Sequence, residues 1–420
     1  MDLIAPAKYR WFVFGSLCVV QAVVIMIMVS PATLIGEISK TMSIDIGKTT
    51  ALTMVVINVF VGISAFLSGG IIDRFGAYRI WIAGSCLLIL GSILIPFIGN
   101  NIPGMLIVRF IQGCGVGPIM STQSLVMAQW FPKEKRSILI GIQTALVSHG
   151  PIICMSFVPF VFQRTGSWET AMASVFIFST IALALSLAVA FGPEPPAMSC
   201  DVRDETPNLR PGDLRTVLFV PTTLAVFFCA FSFSWTQRVF FDMIPSYLAV
   251  DTPTGLGLGP LKAGNVMSVV YAVFTVGAIS SGIIMEKVFR GRVRVPVMIG
   301  FIIPAGLWFS IKYHWVYSDN ILLVAALCLG GFPLALIFPL VLSFLAREYP
   351  EHIMGKLGGI IVGMSITGGL AGLGGGVYAL HLTNLYNTSI NLASLGALMG
   401  FVAACFLKKP EMPLEKTVSD

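Results

Sequence analysis

Twelve stretches of this 420-residue chain are each apolar over roughly 18–25 residues, long enough to cross about 30 Å of hydrocarbon as a helix. They fall at about 11–34, 50–72, 78–98, 103–127, 138–160, 170–192, 219–243, 262–285, 294–313, 320–345, 355–380 and 388–407. Hydrocarbon offers a peptide group no hydrogen-bond partner, so such stretches satisfy their own backbone by folding as helices. Composition agrees: 56% of residues are hydrophobic and only 11% charged, against about 25% charged in ordinary soluble domains. The expected fold is an all-α integral membrane protein with twelve transmembrane helices in two pseudo-symmetric six-helix bundles, its surroundings the lipid bilayer. The first run is longer than the roughly 7–15 apolar residues of a signal peptide and reads as a retained span.

The charges that remain are placed unevenly. With both termini on the cytoplasmic side, nineteen Lys and Arg fall in inner segments and five in outer ones (Lys40, Lys48, Arg164, Lys262 and Lys312), leaving Arg109 and Arg238 inside spans. Positive residues collect on the cytoplasmic side, which sets the orientation and a plasma-membrane (cell inner membrane) location. A net charge of +6 in a soluble protein would point to nucleic acid; distributed this way it points to topology, and no nucleic-acid partner is expected. The longest polar stretch follows Pro193, which divides the chain into an N-terminal half (1–193), a cytoplasmic linker (194–216), a C-terminal half (217–408) and a tail (409–420).

Between the second and third runs lies Gly69-Gly70-Ile71-Ile72-Asp73-Arg74-Phe75-Gly76-Ala77-Tyr78-Arg79, a tight charged turn in which Gly76 supplies a positive φ. It recurs 213 residues later around Gly282, Glu286, Lys287, Arg290 and Gly291, with Glu in place of Asp and the glycine shifted. A second echo pairs Trp130-Phe131-Pro132-Lys133-Glu134-Lys135-Arg136 with Arg347-Glu348-Tyr349-Pro350-Glu351. The paired charged turns resemble the helix 2–3 and helix 8–9 loops of the major facilitator superfamily. That resemblance covers essentially the whole chain. It implies two parallel six-helix halves with nested inverted triplets, a monomer, and alternating access to a central site. It also implies a gating role for Gly69, Asp73, Arg74, Gly76, Glu286 and Lys287.

Polar residues inside the runs are the candidates for chemistry. The fourth run reads Arg109-Phe110-Ile111-Gln112-Gly113-Cys114-Gly115-Val116-Gly117-Pro118 and is similar to the superfamily's Arg-x-x-Gln-Gly-x-Gly pattern. An arginine at that depth costs at least about 2.5–3.5 kcal/mol, so Arg109 faces protein; Gln112 and Gln123 share its helical face. Arg109 is either a structural anchor or a coupling residue. In the fifth run His149 precedes Gly150-Pro151, a fragment of the drug-antiporter helix-5 pattern with Leu146 where that pattern has glycine. Its imidazole is either a helix–helix donor or a proton carrier.

The seventh run places Phe231, Trp235, Arg238, Asp242 and Pro245 at 4, 3, 4, 3 spacing on one helical face. By resemblance, helices 1, 4, 7 and 10 line the central cavity. Arg238 and Asp242 either pair only with each other, or Arg238 meets an anionic group beneath the aromatics with Asp242 steadying it. Gln21 in the first run and Tyr271 in the eighth are either packing or binding residues. Ten glycines between Gly355 and Gly376 make the eleventh run a surface for close helix contact; by resemblance it abuts helix 2.

Several classes are excluded by pattern. There is no phosphate-binding Gly-rich loop with Lys-Ser/Thr, no Ser/His/Asp arrangement and no metal-ligand spacing, so neither ATP-driven transport nor an enzyme is expected, and no cofactor. Eight cysteines include no Cys-x-x-Cys pair and read as small apolar residues. Apart from Asp242 the spans hold no carboxylate, which argues against strict proton coupling. Two in-span arginines against one carboxylate favour a small organic anion as solute; a neutral or zwitterionic nutrient, or a drug or metabolite for export, is the alternative.

The orientation is directly testable. A membrane-impermeant thiol reagent applied to intact right-side-out cells is expected to leave Cys200, in the linker, unlabelled; rapid labelling there would reverse the topology.

Overall fold

The computed structural model describes residues 8–132, 139, 142–143, 145–195, 217–349 and 351–410, and the side chains of Asp73, Ser124 and 351–356 lie outside this description. Among the described residues every regular element is helical. Eleven helices are long and apolar enough to cross a membrane: Tyr9–Val29, Ile46–Ile72, Ala77–Ile98, Ile102–Trp130, Ala145–Thr165, Trp168–Ala190, Pro221–Ala249, Pro260–Lys287, Asn320–Glu348, Leu357–Thr383 and Tyr386–Ala404. A twelfth, Arg294–Ser310, has 17 residues, roughly 25 Å of helix, and occupies the place of the ninth run. In chain order these are spans 1 to 12.

Two boundaries depart from the apolar runs for identifiable reasons. The first run extends to residue 34, but span 1 stops at Val29, because Pro31 has no N–H to continue the helical ladder past Ser30. The chain then forms a separate amphipathic helix, Ile35–Met42, ended by Ser43 in the left-handed region. Span 2 begins four residues before its run because Asp45 caps it, its carboxylate accepting from Lys48 N at 2.9 Å. Gly76, at φ +78°, ends span 2 and starts span 3, so the two helices are joined through a single glycine.

The chain groups into two compact units. The first comprises Met1–Cys200, Ile244–Ala272 and Val377–Leu385; the second comprises Asp201–Met243, Val273–Gly376 and Tyr386–Asp420. The first thus contains spans 1–6 together with the C-terminal ends of spans 7 and 11 and the start of span 8. The linker from 196 to 216, the basic residues 133–136 and the tail from 411 lie outside the described residues.

Glycines set the close approaches in each unit. In the first, a Cβ on Gly113 would lie 2.5 Å from Phe60 Cβ and one on Gly117 2.6 Å from the Val61 carbonyl oxygen, so span 4 seats its small-residue face on span 2. In the second, Gly368 and Gly372 meet the backbone of span 7: a Cβ would fall 2.2 Å from the Phe231 carbonyl oxygen and 2.7 Å from that of Trp235. Gly376 faces Met243 on the same helix. Within this unit the four-residue glycine step of span 11 is therefore a seat for span 7, the helix that carries Arg238.

A sharp contrast follows. Gly368→Ala is expected to destabilise the folded protein by roughly 1–3 kcal/mol, as overpacking does. Gly374→Ala, with nothing within 4 Å of its Cβ, should be neutral or slightly stabilising in thermal unfolding. Equal behaviour of the two variants would refute the seat.

Candidate functional site

In the first unit the polar residues form two buried groups. Arg109 is fully buried; its Nη1 donates to Gln112 Oε1 at 2.8 Å and to the Ile27 carbonyl at 3.4 Å. Its Nε and Nη2 have no hydrogen-bond partner, and no carboxylate among the described residues pairs with it. Gln112 is held in turn by a notch in span 3, because a Cβ on Gly91 would lie 2.6 Å from its Cγ. The second group joins span 1 to Gln143, two residues ahead of span 5: Gln143 Nε2 donates to Gln21 Oε1 at 2.7 Å, with both side chains buried. Gln21 therefore contacts a residue that the sequence reading passed over. The signal was present, a lone amide within the fifth apolar run, but run boundaries carry no information on which amides meet.

The other first-unit candidates are Gln123, His149 and Tyr271. Gln123 follows Thr122, where span 4 changes from one helical segment to the next, and does not bond to Arg109. His149 is exposed, its Nδ1 3.1 Å from the Leu146 carbonyl of its own helix. Tyr271 is buried near the middle of span 8.

In the second unit, span 7 places Phe231, Trp235, Arg238 and Asp242 on one face, as the 4-3-4 spacing requires. Arg238 Nη1 lies 3.6 Å from Asp242 Oδ2; the carboxylate side chain is 4% exposed and the arginine 36%. The acid is thus buried while about a third of the arginine side chain is exposed. Phe231 and Trp235 are tilted rings 5.9 Å apart. The indole is held by Nε1 donating to the Leu392 carbonyl at 2.9 Å, and it lies against Gly372 and Gly396, where a Cβ would come within 3.0 and 2.2 Å of its ring atoms. Trp235 accordingly supports the arginine's helix by packing. Gly369 lies beneath the arginine stem, 3.1 Å from Cγ for a built Cβ.

The charged turns behave differently from one another. Gly69 is exposed with open space around it, Arg74 is exposed, and the Asp73 side chain lies outside the described residues. In the second copy Glu286 forms an ion pair with Arg347 Nη2 at the end of span 10, and Arg347 Nη1 donates to the Gly291 carbonyl at 3.3 Å. Gly291 takes φ +75° and Arg290 φ +52°, which explains the shifted glycine: the turn is made two residues later relative to the acid. Lys287 is exposed. The described cysteines are free thiols, and among the described residues no group of three or more His, Cys, Asp or Glu is placed to hold a metal.

Residues 12–372 match the family model described as Major Facilitator Superfamily. The chain belongs to that superfamily. It is a multi-pass membrane transporter and not an enzyme. The probable sulfoacetate transporter SauU of Cupriavidus necator is 24% identical over 425 residues, covering 95% of this chain and 94% of that protein. The hexuronate transporter of Bacillus subtilis is 25% identical over 247 residues, 56% of this chain and 54% of its own length. Among solved structures, the D-xylose–proton symporter superposes with a TM-score of 0.70 over 95% of this chain and 98% of its own, at 17% identity, a likeness of fold.

Proposed function

We propose that this superfamily transporter carries a small organic anion, and that Arg238 is the residue that meets it. The observation that carries the reading is the asymmetry of the Arg238–Asp242 pair, an aspartate side chain 4% exposed beside an arginine side chain 36% exposed. A carboxylate so placed fixes one side of the guanidinium and leaves the rest of its planar fork free for a carboxylate- or sulfonate-like oxyanion. Arg109 adds positive charge with no carboxylate partner; because it is fully buried, it acts through its field and its hold on span 1 and not by contact. The names of the two transporters above, sulfoacetate and hexuronate, both denote organic anions, which supports the same class. Gln21, buried against Gln143, and Trp235, wedged among glycines, serve the helices that present the site. The expected two-half organisation, with its linker at 194–216 and both termini cytoplasmic, belongs to this proposal.

The test uses uptake of labelled organic anions into proteoliposomes. Arg238→Gln should abolish uptake while leaving folded protein in the membrane, and Arg238→Lys should retain part of it, since the charge survives but the two-point fork does not. If Arg238 serves only to neutralise Asp242, Arg238→Gln combined with Asp242→Asn restores transport, because neither charge is left alone. Full activity in that double variant would defeat the anion-site reading.

A further inference from the structure

A histidine and a carboxylate from distant parts of the chain meet at the membrane face opposite the N-terminal end of span 1. Asp45 caps span 2, and His381, 336 positions further along the chain, lies in the last turn of span 11. Their side chains are in contact, His381 Nδ1 to Asp45 Oδ1 at 3.0 Å, with exposures of 41% and 23%. Gly47 makes the approach possible, since a Cβ there would lie 2.6 Å from both the backbone nitrogen and the Cα of His381. All of these residues belong to the first compact unit. The contact therefore pins the end of a late helix onto the start of an early one.

We propose that His381 and Asp45 form a proton-reading latch that holds the end of span 11 on the start of span 2 more tightly when the imidazole is protonated. A protonated ring adds an ion pair to the contact, whereas a neutral ring leaves only a hydrogen bond. The carboxylate has a standing charge to offer. Burial alone would raise its pKa, but the Lys48 backbone N–H and His381 outweigh burial and hold it below the ordinary carboxylate value. With a folded value below the unfolded one, its contribution is present at neutral pH and disappears only as pH falls through that lowered value.

The neighbouring charges are accounted for. Lys48 Nζ lies 3.4 Å from Asp45 Oδ2 and is largely exposed, while Oδ1 is shared by the Lys48 backbone N–H at 2.9 Å and the histidine. Lys40 is engaged by Glu37 at 3.2 Å and Asp251 at 3.1 Å. Those three line a separate cavity of about 260 Å³ that reaches Ile46. On span 11 itself the nearest titratable residue is Tyr378, one turn back. A partly exposed ion pair is worth about 0.2–1 kcal/mol, so the latch biases this contact by up to roughly fivefold. Span 2 and span 11 belong to different six-span halves, so the latch would have to open in any rearrangement that separates those helix ends. Its existence does not depend on which solute is carried.

The experiment is amide hydrogen exchange of the full chain in lipid nanodiscs, corrected for intrinsic rates, read on residues 44–50 and 377–385 at pH 5.5 and pH 8. The wild type should be about two- to fivefold better protected at pH 5.5 in both segments. His381→Gln keeps a donor to Asp45 but cannot titrate, so its protection should not change with pH. Asp45→Asn keeps the helix cap and removes the charge, and should flatten the response equally. A wild type with no pH response, or a His381→Gln variant that retains it, would overturn the latch. Neither outcome bears on anion binding, which is read by uptake at Arg238.

Discussion

A charge surrounded by hydrocarbon is the interaction this structure is built to manage. Each of the two in-span arginines would cost several kcal/mol if it faced lipid, and each is handled differently. Arg109 is buried completely and spends its hydrogen bonds on Gln112 and on the backbone of span 1, which ties span 4 to its neighbours. Arg238 is neutralised on one side by a sealed carboxylate and left open on the other. The first solution is rigid and internal. The second leaves binding capacity over, and that difference separates the anchor from the candidate for substrate contact.

Glycine is the other half of the construction. Without a hydrophobic driving force between helices in lipid, spans hold together by close contact and by polar links. Span 11 provides the clearest case, since Gly368 and Gly372 accept the backbone of span 7 and Gly369 accepts the arginine stem. Gly91 does the same for Gln112. Gln112 and Arg238 thus each rest against a glycine small enough to receive them.

Most of the fold was legible in the sequence, because the membrane imposes a length on each apolar run and a fixed direction on each crossing. The charged turn at Gly76 and its echo at Glu286 were equally plain. What the runs could not show was which side chains meet across helices. Gln143 is an ordinary amide in an apolar stretch until span 1 brings Gln21 to it, and Arg347 sits 61 residues from Glu286. Asp45 and His381 were passed over for the same reason: loop-end residues carry no periodicity. Trp235 shows the same limit: spacing placed it on the arginine's face, but did not show the bond of its indole to Leu392 or its contact with two glycines. The break at Pro31 was written in the chain, but a count of apolar residues does not register it.

The central claim is the class of solute. Purified protein should be screened by thermal unfolding against small sulfonates and carboxylates, neutral sugars, zwitterionic amino acids and lipophilic cations, because a ligand of the folded state raises apparent stability by an amount set by its concentration over its Kd. The account predicts that organic anions alone raise the unfolding temperature, and that Arg238→Gln removes the shift. Stabilisation by lipophilic cations or neutral sugars, with none from any anion, would contradict it.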